Sequence, residues 1–194
     1  MNDMKKIMFN DKYGLAQAVL EGRKTQTRRI VPDGTPLGNW CETEAHSRYK
    51  VGEEVAVAQC YDDIYMEKNA PCPIPDEYRL NAYNKGFNQG HKGWKNKMFV
   101  LPDDMPFRIK ITKIRVERLQ DISNEDCLAE GIYAVILDNE NGRGIQAYTF
   151  GEFDEHRCYN TPRVAYANLI DKVSGKGTWE SNPWVYVYDF ELVR

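Results

Sequence analysis

The chain has 194 residues and a mass of 22.5 kDa, with 42% hydrophobic, 12% aromatic and 28% charged residues. That mixture is globular, which excludes a disordered or fibrous chain, and the length suits one domain with one core. The net charge of −3 excludes a globally basic polyanion binder. The charge is unevenly placed: residues 23–29, 85–97 and 108–118 hold 13 of the 26 Lys and Arg against one acid, Glu117. Convergence of these basic strips on one surface is therefore an expectation for the fold to meet or fail.

No apolar run reaches the roughly 18–20 residues of a spanning helix, so no membrane association is expected. Met1 to Phe9 lacks an apolar signal core, and the five Cys are odd in number with no CxxC. A reducing, cytoplasmic setting without a disulfide framework follows as an expectation. His46, His91 and His156 are scattered and lack ligand-pair spacing, so no metal is expected. There is no P-loop, GxGxxG or GxSxG motif, and no cofactor is implied.

Along the chain, Ile7–Phe9 is a short apolar run. Asn10 or Asp11 is placed to cap a helix carrying Leu15, Ala16, Val19 and Leu20, which Gly22 stops. Residues 23–31 then extend, and Gly34, Pro36 and Gly38 mark a loop. Residues 51–61 form a turn and a strand. Residues 62–104, rich in Asn, Gly, Pro, Tyr and Lys, form a long excursion from the core with at most a short hairpin, mobile at Gly86, Gly90 and Gly93.

Residues 107–116 make a strong strand whose apolar parity slips near Thr112, as at a bulge. Ser123 and Asp126 make a capping box for a helix over 124–130, with Gly131 as its stop. Residues 133–160 are irregular. Thr161 and Pro162 open an amphipathic helix with Tyr166, Leu169, Ile170 and Val173 on one face, ending near Gly175. Trp184–Tyr188 is apolar on both faces, the mark of a central strand. Strands do not alternate regularly with helices, so a doubly wound parallel sheet is excluded. The expected class is α+β, a small and mostly antiparallel barrel, residues 1–194 forming a single domain.

The segment GRKTQTRR at residues 22–29 resembles the signature G-x-K-x-x-T-x-R of the ASCH domain, filled by Gly22, Lys24, Thr27 and Arg29. Three further blocks agree in order: Lys50, Gly52 and Glu53; Arg115 through Gly131; and Asn182 to Glu191. The resemblance is to small phage- and prophage-associated ASCH-like proteins. It implies a PUA-like β-barrel with flanking helices and two insertions, at 62–104 and 133–160. One departure stands out: Ala56-Val57-Ala58-Gln59-Cys60 occupies the place of the subgroup's "WVRET", so its Arg and Glu are missing.

Some small ASCH proteins remove the acetyl group of N4-acetylcytidine by hydrolysing a non-peptide C–N amide bond. By that resemblance the catalytic positions are Lys24, Thr27 and Glu130. Two assignments stay open: a neutral Lys24 is base to Thr27, or Glu130 is base while Lys24 donates to the oxyanion. Residues i and i+3 of a straight strand point to opposite faces, so Lys24 and Thr27 share a site only if the chain turns after Gly22.

The alternative is a non-catalytic, RNA- or single-strand-binding module of mobile-element origin. Aromatic and basic residues interleave from Tyr78 to Lys97, as suits base stacking and phosphate neutralisation. Arg28, Arg29, Lys92, Trp94, Lys95 and Arg108 are the candidate contacts for a nucleoside or single-stranded RNA.

Overall fold

The computed structural model describes residues 4–138 and 144–193. Its main element is a five-stranded sheet of β1 (Lys5–Ile7), β2 (Gln26–Ile30), β3 (Glu54–Val57), β4 (Arg108–Arg118) and β7 (Trp184–Val193), in the order β1-β3-β4-β7-β2. Only the β1–β3 pair is parallel. The protein is thus α+β with a mostly antiparallel sheet. No closed barrel forms among the described residues, since β1 and β2 end the sheet as unpaired edges.

β7 lies between β4 and β2, and Val185 to Tyr188 are all buried. This is why its residues are apolar on both faces. The pairing of β4 with β7 shifts between Ile111 and Lys113, the bulge that the parity slip foretold. α1 (Leu15–Leu20) follows β1, and α2 (Trp40–Ala45) stands where only a loop was expected. Ser123 Oγ accepts from Asp126 N at the head of α5 (Asn124–Ala129), and Thr161 Oγ1 accepts from Val164 N at the head of α6 (Pro162–Ser174). α1 begins later than its cap signal implied, because Asn10 Oδ1 instead accepts from Tyr13 N and Gly14 becomes the N-cap.

Residues 62–104 are not an excursion from the core. They fold into α3 (Tyr61–Tyr65), α4 (Asp76–Ala82), a π-helical turn and three 3₁₀ turns, and they bury Ile64, Ile74, Ala82 and Val100. No hairpin forms there. Asp104 is the hub: it accepts from Tyr61 at 2.6 Å, Asn81 at 2.7 Å and Lys85 at 2.8 Å. Gly86 is a packing residue rather than a flexible joint, since a Cβ there would lie 2.6 Å from the Trp94 ring. The expected irregular segment also holds an ordered hairpin of β5 (Tyr133–Asp138) and β6 (Gly144–Thr149). Its outer side chains alternate with half-buried ones, so little apolar patterning marks it in the sequence.

All five cysteines are free thiols. No helix among the described residues is long and apolar enough to cross a membrane. Among those residues no group of three or more His, Cys, Asp or Glu side chains is placed to hold a metal ion.

Candidate active site

The chain turns after α1 as the signature requires. Gly22 and Gly131 both have positive φ, +75° and +102°, and each ends a helix beside the site. Lys24 N then donates to Ala18 O, and Thr25 N donates to Ala129 O. These two bonds dock the start of the signature between α1 and α5. Lys24 therefore precedes β2 instead of lying in it, and Glu130, at the end of α5, comes to face it across 106 positions of sequence.

The Lys24 ammonium is buried and its donors have three acceptors: Gln26 O at 2.7 Å, Glu130 O at 2.8 Å and Glu130 Oε2 at 2.5 Å. Burial pulls its pKa below the ordinary lysine value, while the Glu130 carboxylate pulls it back up. A neutral amine has only two N–H donors, so this environment suits the charged form. Of the two assignments open from sequence, this geometry counts against a neutral Lys24 acting as base to Thr27.

β2 is one of the sheet's two free edges, and a cavity of about 180 Å³ lies beside it. Lys24, Thr27, Glu130 and Tyr166 all border this cavity, with the side chains of Leu15, Leu169 and Ile170. Four successive strand residues, Thr27 to Ile30, touch it, as only a cavity at an edge allows. The backbone agrees. Phe190 N donates to Thr25 O and Val31 N donates to Trp184 O, so the odd residues of β2 bond to β7. The N–H and C=O of Arg28 consequently point to the free edge, where Gln26 O already receives Lys24.

Arg28 and Arg29 have opposite fates. The Arg28 guanidinium is fully buried and reaches Glu117 at 2.6 Å, Asp126 at 2.9 Å and Glu130 at 3.2 Å, with Gln26 Oε1 at 2.5 Å. Although burial opposes its charge, Glu130 and Glu117 raise its pKa further above the usual arginine value. Arg115 joins Glu117 and Asp126 and adds Asp189 at 2.8 Å. Arg28 is thus a structural clamp and not a free phosphate contact. Arg29 is half-buried, donates to Met8 O at 2.5 Å and lies 5.8 Å from the Phe9 ring centroid.

The other proposed contacts do not join them. Lys95 is held by Asp62 at 2.7 Å, Lys92 sits over Phe99, and Arg108 faces Glu54 at 3.9 Å. Trp94 packs against the core with Tyr65 and Phe87 around it. Eight of the thirteen basic residues in these strips, among them Lys24, Arg28, Lys85, Lys95, Lys97 and Arg115, pair with carboxylates, and the strips do not converge on one pocket. Only the first and third meet, at the shared Glu117 and Asp126.

Tyr166 is the residue that sequence reasoning missed. Its periodicity marks it as a core position of α6, yet the residue lines the cavity, and its buried hydroxyl has no partner among the described residues. Burial and the nearby Glu130 carboxylate push its pKa well up, so it stays a neutral donor. An unpaired buried hydroxyl costs roughly 1–3 kcal/mol, which a bound polar atom recovers. Tyr166→Phe is therefore expected to hold or raise the melting temperature while weakening ligand binding at this cavity about 10-fold. Calorimetric titration beside thermal denaturation checks both halves of that expectation. No protein-family model matches this chain, and neither a curated protein nor a solved structure does.

Proposed function

We propose that this protein is a small amide hydrolase acting on N4-acylated cytidine-type substrates, on an ASCH-like fold whose sheet is an opened PUA-like barrel. The observation that carries the reading is that Lys24, Thr27 and Glu130 border one cavity. The β4 bulge and the Arg29 hydrogen bond to Met8 O, which spans the two sheet edges, support the barrel comparison.

In this reading an acyl amide enters along the β2 edge. Glu130 takes the proton of the attacking oxygen, supplied by Thr27 or by a water beside it. The C–N bond breaks and the amine leaves with a proton returned by Glu130. If Thr27 attacks, water then releases the acid from its ester. Lys24 exchanges one of its three acceptors for the developing oxyanion, and the edge-facing N–H of Arg28 is a second donor. Glu130 Oε2 and Oε1 are bonded to Lys24 and Arg28, not to Thr27, so the substrate completes the arrangement.

The test is incubation with N4-acetylcytidine, followed by chromatography of cytidine, for the wild type, Lys24→Ala and Glu130→Ala. Turnover that falls at least 100-fold in both variants is expected, the scale of losing an oxyanion donor or general base. Turnover untouched by either change rejects the site. Absence of wild-type turnover with retained binding favours the non-catalytic nucleoside-binding module, which the unpartnered Tyr166 hydroxyl also suits.

A further inference from the structure

A second cleft, of about 270 Å³, opens between the unpaired edges β1 and β2. Its floor is aromatic. Tyr49, Tyr186 and Tyr188 are all buried, with ring centroids 5.3 Å apart for Tyr49 and Tyr188 and 6.1 Å for Tyr186 and Tyr188. The ring hydroxyls of Tyr49 and Tyr186 are already spent on Lys6 O and Thr43 O, which leaves their faces and edges as the recognising surface.

The rim is cationic and carries no carboxylate among its lining residues. Lys6 is saturated by the carbonyls of Lys97, Met98 and Val100. Arg29 and Arg48 are not. Arg29 gives a single hydrogen bond, to Met8 O, and Arg48 lies over the Tyr49 ring at 5.5 Å. Neither arginine has a carboxylate partner among the described residues. Glu53, the acid near Tyr49, is held by Lys5 at 2.9 Å and by the backbone N–H of Lys50. Lys85, Lys95, Lys97 and Arg115, by contrast, each have an acidic partner.

We infer that this cleft is a second ligand site, and that it takes a nucleoside monophosphate, the phosphate on Arg29 and Arg48 and the ring against the tyrosine floor. Arginine forks match phosphate oxygens in pairs, and aromatic floors accept any base by its π-face. The inference does not depend on hydrolysis at Lys24, because it concerns binding at residues outside the Lys24–Glu130 pair.

The experiment is calorimetric titration of the full chain with cytidine 5′-monophosphate, cytidine and inorganic phosphate at low salt. Arg48→Glu and Arg48→Lys serve as variants, since Arg48 is exposed and its replacement spares the core. The monophosphate is expected to bind at least 10-fold more tightly than cytidine, to lose that margin in Arg48→Glu and to keep part of it in Arg48→Lys. A 5′-phosphorylated oligocytidylate, compared with its 5′-hydroxyl form, separates the two sources of this chemistry. Preference for the phosphorylated strand over the free nucleotide assigns the site to strand ends, and the reverse assigns it to mononucleotides. Equal affinity for cytidine and its monophosphate, or no loss in Arg48→Glu, overturns the inference. Lys24→Ala, its fold checked by circular dichroism, is expected to lose turnover of acylated cytidine but to bind the monophosphate like the wild type, so failure of one site is distinguishable from failure of the other.

Discussion

Arg28→Ala is expected to destabilise the protein by about 3–5 kcal/mol, the range for removing one partner of a buried ion pair, and to lower the melting temperature by roughly 10 °C. The guanidinium is wholly buried and unites three carboxylates, two of them partly open to water: Glu117 is 19% and Asp126 26% exposed at the side chain. Water reaching those two softens the loss, so the lower half of the range is the better estimate. Arg115 still holds both acids, but the Glu130 carboxylate is left with Lys24 alone, on Oε2, among the described residues. Arg28→Lys is expected to recover only part of the loss, because one ammonium cannot span the positions that the planar fork reaches.

The deficit should shrink in acid. Burial pushes Asp126 up, but Gln26, Arg28 and Arg115 outweigh it and hold the carboxyl below its ordinary value of 3.8. A carboxyl depressed on folding stabilises fully above its unfolded value, and the contribution is lost as pH falls through the folded one. The gap between the wild type and Arg28→Ala is thus wide at pH 7 and narrower near pH 3. Paired thermal melts at the two pH values check this; a constant gap means that the clamp's charges contribute nothing.

The sequence carried those parts of the fold whose signals are local. Thr161 before Pro162 opens α6, Ser123 caps α5, and the slip at Thr112 marks the bulge. The double-sided apolar run of β7 declares its central place. Residues 62–104 were opaque because their order comes from distant partners. Asp104 gathers Tyr61, Asn81 and Lys85, and Gly86 admits the Trp94 ring. Composition shows the glycines and lysines of that segment but not the ring or acid each one meets.

The same blindness affected the charge pattern. A basic run along the chain is a basic surface only if folding brings no acid to it. Here Asp104 meets Lys85, Asp62 meets Lys95 and Asp11 meets Lys97. The candidate site was suggested only by the signature's resemblance to a known family, since periodicity has no means of joining Lys24 to Glu130. Tyr166 was hidden for the opposite reason: it obeys helix periodicity so well that its hydroxyl drew no notice.

The pair Lys24 and Glu130 separates a structural role from a catalytic one. Each side chain is almost completely buried, 1% and 5% exposed, and the two meet at 2.5 Å. Lys24→Met alone leaves Glu130 facing Arg28 only, and Glu130→Gln alone leaves a buried ammonium with neutral acceptors. Each single change is expected to cost about 3–5 kcal/mol. The double variant removes both charges, and the new amide oxygen still accepts from Arg28. It is expected to be more stable than the sum of the single losses implies, with a coupling of about 1–3 kcal/mol by double-mutant cycle. Restored stability sets the decisive comparison. If the pair only holds α5 against the signature, the double variant hydrolyses N4-acetylcytidine at a rate close to that of the wild type. If it performs the proton transfer and holds the oxyanion, the double variant folds and stays at least 100-fold slower. The second result is the expected one, because three acceptors are gathered around an ammonium at the wall of a cavity that Tyr166, with its unpartnered buried hydroxyl, also lines. A scaffold alone does not call for that concentration of buried polar groups, since apolar side chains of similar volume would stabilise the same contact at least as well.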